Sequence, residues 1–314
     1  MFGRSSTPDF DAAGAYPEVG SLRAALRSGD WAAAREIYDP LGWDGRALLV
    51  AEGGEVRDAG DLLRRVVAAD PADGAAAAML GCHLVRAAWR VRSSAPAKHV
   101  GADQFRGFHD LLRQADVVLA TATGQDPGNL AAWQQRVIVA RGLELGQGEA
   151  RRRYDRAAAI DPHHRATQTS YLQQLCPKWS GDLRTLHGFA RERMLTAPAG
   201  AHNAVLVVDA HLEQLLSDGA EHMRSADVRA QLHEAADLSI WHPDFRRTPG
   251  WVAVLNYFAA GFAAAGEDRA AARVFTELGP HATDLPWNYL SRFRERLARH
   301  PHRTFNRLRK QAMR

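Results

Sequence analysis

Three histidines spaced eleven residues apart are the side chains of this 314-residue chain best placed to bind a metal ion. His211, His222 and His233 would share one face of a continuous helix, because eleven residues make about three turns. Imidazole nitrogens are ligands for zinc and iron. However, Ser217-Asp218-Gly219 predicts a break in that helix, and no His-Glu-x-x-His motif or cysteine pair adds ligands. The pattern favours solvated surface histidines and leaves a metal-dependent enzyme, using these three with nearby acids, as the alternative.

Other side chains that could act in catalysis lack the companions that catalysis needs. The sequence has no Gly-x-Ser-x-Gly nucleophile motif and no Gly-x-x-x-x-Gly-Lys phosphate loop. The acid pairs Asp209 with Glu213 and Glu267 with Asp268 are typical of solvated helix faces or first turns. His163-His164 follows Asp161-Pro162, a turn where polar residues are expected. We therefore predict no enzyme activity, no catalytic residue, no metal and no cofactor.

Tryptophan and arginine give the clearest candidate for a binding surface. Trp89, Trp133 and Trp179 follow one another at intervals of 44 and 46 residues, and each lies near a cation or polar group. Rigid aromatic rings beside guanidinium groups suit a peptide and its carboxylates. Rings in a helical-repeat core are the alternative. The predicted partner-binding residues are Trp89, Arg92, Trp133, Arg136, Arg141 and Trp179.

A short pattern repeated three times predicts the helices that must position these side chains. An alanine is followed four residues later by an aromatic residue in Ala34–Tyr38, Ala150–Tyr154 and Ala271–Phe275. Glycines lie just upstream of each, notably in Gly29-Asp30 and Gly266-Glu267. A small residue lets two helices approach closely, and an aromatic residue one turn later fills the space towards the next pair. The pattern predicts antiparallel helix hairpins joined at the glycines.

The spacing of prolines in the middle of the chain resembles that of tetratricopeptide repeats. Asp126-Pro127, Asp161-Pro162 and Ala197-Pro198 should end successive helices, at intervals of 35 and 36 residues, close to the 34 residues of that repeat. Runs of alternating β-branched residues are almost absent, and Leu48-Leu49-Val50 and Val205-Leu206-Val207-Val208 lie in helix-compatible windows. We predict an all-α, irregular tetratricopeptide-like solenoid of roughly seven to eight hairpins.

The central 120 residues contain a distinctive combination of aromatic, small and turn residues, namely His83, Ala87-Ala88-Trp89, Arg92, Phe108, Leu111, Ala115, Leu119, Asp126-Pro127, Trp133, Asp161-Pro162 and Trp179-Ser180-Gly181-Asp182. This combination resembles an uncharacterised bacterial family, a domain of unknown function whose members are similar to irregular tetratricopeptide proteins. The resemblance implies a fold and carries no activity, cofactor or catalytic residue.

Composition and sequence pattern predict the size of the core, the cellular location and the structure of the N-terminal residues. A hydrophobic content of 46% can build a sizeable core, and two cysteines, Cys82 and Cys176, make neither a disulfide framework nor a zinc site. No leader pattern opens the chain and no apolar window is long enough to span a membrane, so we expect a cytoplasmic protein without membrane insertion. Residues 1–16 should form a flexible arm before a solenoid over residues 17–291.

The C-terminal residues 292–314 carry eight arginines and one lysine against one glutamate, in a chain whose formal net charge is +4. Leu290, Phe293, Leu297, Phe305 and Leu308 follow helical spacing, which predicts an amphipathic, basic capping helix interrupted at Pro301. Because no nucleic-acid-binding module is recognisable, nucleic acid is an unlikely partner and a regulator contacting it through this tail is the alternative. The predicted function is a non-catalytic module that binds a peptide or protein in the concave groove of the solenoid.

Overall fold

The protein is all-helical. The computed structural model describes residues 7–92, 101–291 and 300–314, which contain seventeen α-helices and no β-strand. The two apolar runs closest to a strand pattern, 48–50 and 205–208, both lie within helices. The predicted fold class is therefore confirmed at the level of secondary structure.

The chain divides into two compact units, whereas the sequence predicted one array over residues 17–291. The first unit comprises residues 17–181, and the second comprises residues 1–16 together with 182–314. The boundary falls at the Trp179-Ser180-Gly181-Asp182 turn, because the helices that follow it pack among themselves.

The described residues of the first unit contain nine α-helices, with short 3-10 helices at Arg57–Ala59 and Pro177–Trp179. They are α1 (Pro17–Ser28), α2 (Trp31–Tyr38), α3 (Trp43–Gly54), α4 (Gly60–Ala69), α5 (Gly74–Arg92), α6 (Ala102–Gln125), α7 (Leu130–Gly142), α8 (Gly146–Ala158) and α9 (Arg165–Gln174).

Polar caps and one glycine turn begin these helices. Gly29 has a φ of +76°, a conformation that suits glycine, and the next residue, Asp30, accepts a hydrogen bond from Ala33 N as the N-cap of α2. Asp73 and Asn129 cap α5 and α7 in the same way. The first predicted hairpin, α1 with α2, is confirmed by contacts between the two helices.

Two helix pairs of the first unit, α5 with α6 and α7 with α8, contact each other. The helices α5 and α6 pair closely, since a Cβ added at Gly81 would lie 2.4 Å from Leu119 Cδ2. The next pair is α7 with α8, and α7 also contacts α5, α6 and α9. The helix α3 lies against α5, α7 and α9. The chain itself therefore covers part of the surface of these three helices.

Eight α-helices belong to the second unit, with 3-10 helices at Ala12–Gly14 and His202–Ala204, counting only the described residues. They are α10 (Leu183–Thr196), α11 (Val205–Asp218), α12 (Ala220–Arg224), α13 (Ala226–Leu238), α14 (Trp251–Ala265), α15 (Asp268–Leu278), α16 (Trp287–Ser291) and α17 (Pro301–Ala312).

The hairpin predicted near the C-terminus is formed by α14 and α15. Gly266, with a φ of +76°, joins the two helices. Ala271 and Phe275, the repeated alanine and aromatic residue, are fully buried. The small residue and the ring thus occupy the core, as the repeat pattern predicted.

Described residues of the N-terminal segment are packed, which corrects the expectation of a loose arm over residues 1–16. Asp9 forms a β-bridge with His281. The Tyr16 hydroxyl accepts hydrogen bonds of 3.1 Å from the backbone N–H groups of Gly250 and Val252 at the start of α14. These donors would otherwise be unpaired at a helix N-terminus, which explains why the segment docks there. Residues 1–6 lie outside the described residues.

The basic C-terminal helix packs through an aromatic side chain. The helix α17 begins at Pro301 and contacts α14, α15 and α16. Phe305 is fully buried, with its ring 5.5 Å from that of Phe275 and 5.1 Å from that of Trp287. The predicted apolar positions Phe293 and Leu297 lie outside the described residues. Arg309 lies over the Phe305 ring at 5.9 Å, and the side of α17 away from Phe305 carries Arg303, Arg307 and Lys310.

Candidate partner-binding site

Four of the six predicted binding residues meet in one cluster of the first unit. Trp89 lies near the end of α5, and its ring packs edge to face on Trp179, with centroids 6.0 Å apart. Phe108 of α6 packs on the other side of Trp89, at 4.9 Å. Phe108 is buried, whereas both tryptophans are partly exposed. The result is an aromatic surface supported from below by a core ring.

Two arginines lie over these rings. The guanidinium carbon of Arg92 is 5.4 Å from the Trp89 ring centre and 5.9 Å from that of Phe105. Arg141 lies 5.8 Å from Trp179 and donates a hydrogen bond of 2.9 Å to Ser170 O. A cation over an aromatic face is attracted by the negative face of the ring. We call the partly exposed residues Trp89, Arg92, Phe105, Arg141 and Trp179 the tryptophan–arginine surface.

Arg92 differs from most arginines of the first unit because it forms no ion pair with any described residue. Other arginines of this unit are neutralised, as Arg113 is by Asp110 at 2.8 Å and Arg151 by Asp155 at 2.7 Å. Among the described residues, the contacts of the Arg92 guanidinium are with the rings of Trp89, Phe105 and Phe108. Its charge is therefore available to a carboxylate brought by a partner.

The backbone around Trp179 is fixed by two glutamine side chains. Gln147 and Gln174 each donate a side-chain hydrogen bond to Trp179 O, at 3.0 and 3.2 Å. Ser180 has a φ of +65°, and a Cβ added at Gly181 would lie 2.0 Å from Leu175 O. Only glycine fits at position 181 without moving the chain. Trp179 is thus a pre-ordered anchor and loses little conformational entropy on binding.

Trp133 and Arg136 lie apart from this surface. Trp133 is 6% exposed and packs with Leu130 and Ala157, the alternative that the sequence left open for these rings. Its indole N–H donates to Pro127 O at 3.0 Å. Arg136 stacks on Trp133 at 4.8 Å and donates to Thr123 Oγ1 at 2.8 Å. Both side chains therefore make their contacts within the protein interior.

Arg136 lies beside a buried arginine, Arg153, which forms a network of hydrogen bonds and ion pairs. Arg153 is 3% exposed and donates to Asp116 at 2.7 Å, to Glu149 at 2.7 Å and to Arg136 O at 2.9 Å. Burial, followed by repulsion from Arg153, lowers the pKa of Arg136. Hydrogen bonds from Arg152 and then Arg153 lower the pKa of Glu149 to about 2. This network joins α6, α7 and α8 and has a structural role.

The predicted histidine trio is divided by the structure. His211 Nδ1 lies 3.1 Å from His222 Nε2, and the His187 ring packs 4.6 Å from that of His211. His233 instead contacts Glu267 Oε2 at 3.4 Å. In the part of the chain that the structure describes, no three His, Cys, Asp or Glu side chains are grouped to hold a metal ion. The metal-site alternative built on these three residues is not supported.

The expectation that these histidines are solvated is wrong for His211, which is 3% exposed. His187 donates to Gln214 Oε1 at 2.7 Å, and His211 Nε2 donates to Gln231 Oε1 at 3.2 Å, because an amide oxygen only accepts. His211 Nδ1 is then the acceptor for His222. Burial, followed by the charge of His187, lowers the pKa of His211 to about 3. The cluster is therefore built for neutral imidazoles.

The acid pair Asp209 with Glu213 and the imidazole of His164 are more buried than the sequence indicated. Asp209 is 2% exposed and Glu213 is 7% exposed, so this acid pair does not lie on a solvated face. Glu213 is hydrogen-bonded to Tyr289, whose pKa burial raises well above its usual value. His164 is 2% exposed and contacts Thr167 Oγ1 at 2.7 Å, and burial lowers its pKa to about 4. Tertiary packing, which single-residue patterns do not contain, encloses these groups.

Phe105 belongs to this surface but was not among the residues predicted from the sequence. Phe105 and Phe108 are three residues apart near the start of α6, so they share one helix face. That spacing was visible in the sequence. Their approach to Arg92 depends on the antiparallel pairing of α5 with α6, which the sequence did not define.

Comparison with known proteins gives no relative: no protein-family model and no curated protein matches this chain. None of the described helices combines the length and apolar character needed to cross a bilayer. The fold and this site define an all-helical protein with a pre-ordered aromatic and cationic surface.

Proposed function

We propose that the first unit is a tetratricopeptide-like interaction module that binds a peptide or protein through the tryptophan–arginine surface. The contacts of α7 with α5, α6, α8 and α9 support a repeat arrangement, because each helix pair then buries the apolar side of its neighbour. The partner is expected to present an aromatic or aliphatic side chain to Trp89 and Trp179 and a carboxylate to Arg92.

The observation that carries this proposal is the charge of Arg92, which lies over partly exposed rings and has no ion-pair partner among the described residues. An arginine without a carboxylate partner among the described residues keeps its full capacity for charge-assisted hydrogen bonds. The rings under it are rigid and partly exposed to solvent. Aromatic residues and arginine are enriched among the residues that contribute most of the binding energy in protein interfaces. Such a surface binds with little rearrangement.

The site proposed here replaces the concave groove expected from the sequence. In a regular repeat array the first helix of each pair lines the concave side. In this chain α3 contacts α5, α7 and α9. We infer that it fills the groove that those helices would line in such an array. The tryptophan–arginine surface lies instead at the end of α5, the start of α6 and the 3-10 helix around Trp179.

Selection of peptides from a displayed random library on the full chain tests this function. We expect enriched peptides that combine an acidic residue with an aromatic or aliphatic one. The variant Arg92→Glu should weaken their binding about tenfold or more, since an attractive contact becomes repulsive. Arg65→Glu is the matched control, because Arg65 is exposed on α4 and forms no ion pair with a described residue. Equal binding by both variants and the natural chain would contradict the proposal.

A further inference from the structure

The helix α17 carries a row of cations on the side opposite its buried face. Arg303, Arg307, Lys310 and Arg314 are spaced by four, three and four residues. At 3.6 residues per turn they fall within about 60° of one another and span about 16 Å along the helix. Phe305 and Leu308 lie on the other side, and Phe305 is fully buried. We call these four side chains the basic stripe.

The charges of the basic stripe are not neutralised within the described protein. None of the four cations forms an ion pair with a described residue, and α17 itself contains no acidic residue. Arg314 follows the helix closely, since its N–H donates to Gln311 O at 3.3 Å. Among the described residues, this helix contacts one acidic side chain: Asp268 Oδ1 accepts a hydrogen bond of 3.4 Å from Gln311 Nε2 on the flank of the stripe. The stripe is therefore an exposed line of positive charge, with Arg307 partly buried.

The residues in and beside the basic stripe disfavour three classes of anionic partner: a membrane surface, an acidic protein and single-stranded nucleic acid. A helix that lies in a membrane surface inserts its apolar face, and here that face is buried in the protein through Phe305. A protein interface needs aromatic or aliphatic anchors, whereas the residues beside the stripe on α17, His302, Asn306 and Gln311, are polar. The Phe10 ring stacks on His302 and lies towards Phe305, on the side away from the stripe. Single-stranded nucleic acid is usually bound by exposed stacking rings, and the stripe has none.

We propose that the basic stripe binds the phosphate backbone of duplex DNA without sequence preference. Backbone binding requires only a line of cations, and guanidinium groups bond phosphate oxygens in bidentate geometry. Three of the four cations are arginines. Because the stripe lies in the second unit, this activity is separate from the peptide binding proposed for the first unit.

Fluorescence anisotropy with a labelled DNA duplex of about 20 base pairs, two helical turns, tests the proposal on the full chain over a salt series. The stripe variant carries Arg303→Gln, Arg307→Gln, Lys310→Gln and Arg314→Gln. Each lost phosphate contact should reduce the slope of log affinity against log salt by about 0.9, or about 3.6 for all four. The matched control removes the same charge at four exposed, ion-paired arginines with Arg64→Gln, Arg106→Gln, Arg113→Gln and Arg151→Gln. It should keep the slope of the natural chain.

A slope retained by the stripe variant, or an equal loss in the control, would overturn the proposal. Absence of duplex binding by the natural chain at 50 mM salt would also overturn it. Tighter binding to polyglutamate or to phosphatidylserine vesicles than to the duplex would show an acidic protein or a membrane as the partner instead. If the stripe variant fails to fold by circular dichroism, the double variant Arg303→Gln with Lys310→Gln, at two exposed positions, should lose about 1.8 of slope.

Discussion

The indole rings of Trp89 and Trp179 meet edge to face with their centroids 6.0 Å apart. This contact joins the end of α5 to the 3-10 helix that follows α9. Residues distant in sequence thereby form one surface, with Arg92 on one ring and Arg141 on the other. The geometry depends on the turn that holds Trp179 and on the core that supports the helices.

The turn at Gly181 gives the first prediction. Gly181→Ala would place a methyl group 2.0 Å from Leu175 O, so the turn must shift and move Trp179. We expect a stability loss of about 1–3 kcal/mol and at least a severalfold weaker affinity for selected peptides. Urea unfolding and peptide titration measure the two effects.

Gly148→Ala is the control for that change. Gly148 lies in α8, and a Cβ added there has no heavy atom within 4 Å. The alanine should leave peptide affinity unchanged and raise stability by up to about 1 kcal/mol, because alanine favours helix. Equal peptide affinity for Gly181→Ala and Gly148→Ala would show that the position of Trp179 does not matter for binding.

Truncation to alanine should affect stability differently at the buried Trp133 and at the partly exposed Trp89. Trp133→Ala removes a ring that is 6% exposed in the core and should lower the free energy of unfolding by about 3–5 kcal/mol. Trp89→Ala removes a partly exposed ring and should cost about 1–2 kcal/mol while it weakens peptide binding. Denaturant unfolding compares the two variants, and a larger stability loss for Trp89→Ala would contradict the assignment of roles.

The histidine cluster predicts that acid destabilises the second unit. Burial lowers the pKa of His211 to about 3, below the ordinary value of 6.5, and the pKa values of His187 and His222 are also lowered. The unfolded chain then binds more protons than the folded chain below about pH 6.5, so stability falls as the pH falls through that value. The contribution of His211 alone is on the order of 2 kcal/mol at pH 5.

Urea unfolding at pH 7.5 and pH 5 measures this dependence. His211→Gln should reduce the difference in stability between the two pH values. His233→Gln is the matched control, since His233 lies outside the cluster, against Glu267 and Trp241. An unchanged pH dependence in His211→Gln would exclude the cluster as its source.

Local structure could be predicted from the sequence where a single residue type determines it. The glycines at 29 and 266 join helices as predicted. The side chains of Asp30, Asp73 and Asn129, which are residue types favoured at helix N-caps, begin α2, α5 and α7. A positive φ at a turn, or an unpaired N–H group at a helix N-terminus, is a requirement of a single position. The residue type at that position therefore indicates the local structure.

Tertiary environment could not be predicted in the same way. Trp89 and Trp133 have the same residue type and an arginine three residues later, yet one is partly exposed and the other is buried. Asp209, Glu213 and His211 are polar residues that neighbouring helices enclose. Burial depends on which helices meet, and that information is spread over the whole chain.

Hydrogen–deuterium exchange of the full chain, with and without a selected peptide, tests the central claim most directly. Binding at the tryptophan–arginine surface should slow exchange at residues 86–92, 102–109 and 175–181, because the peptide covers the end of α5, the start of α6 and the turn around Trp179. Exchange in α17 should not change. Protection confined to α3, α7 and α9, or to the second unit, would contradict the assignment of this surface as the peptide-binding site.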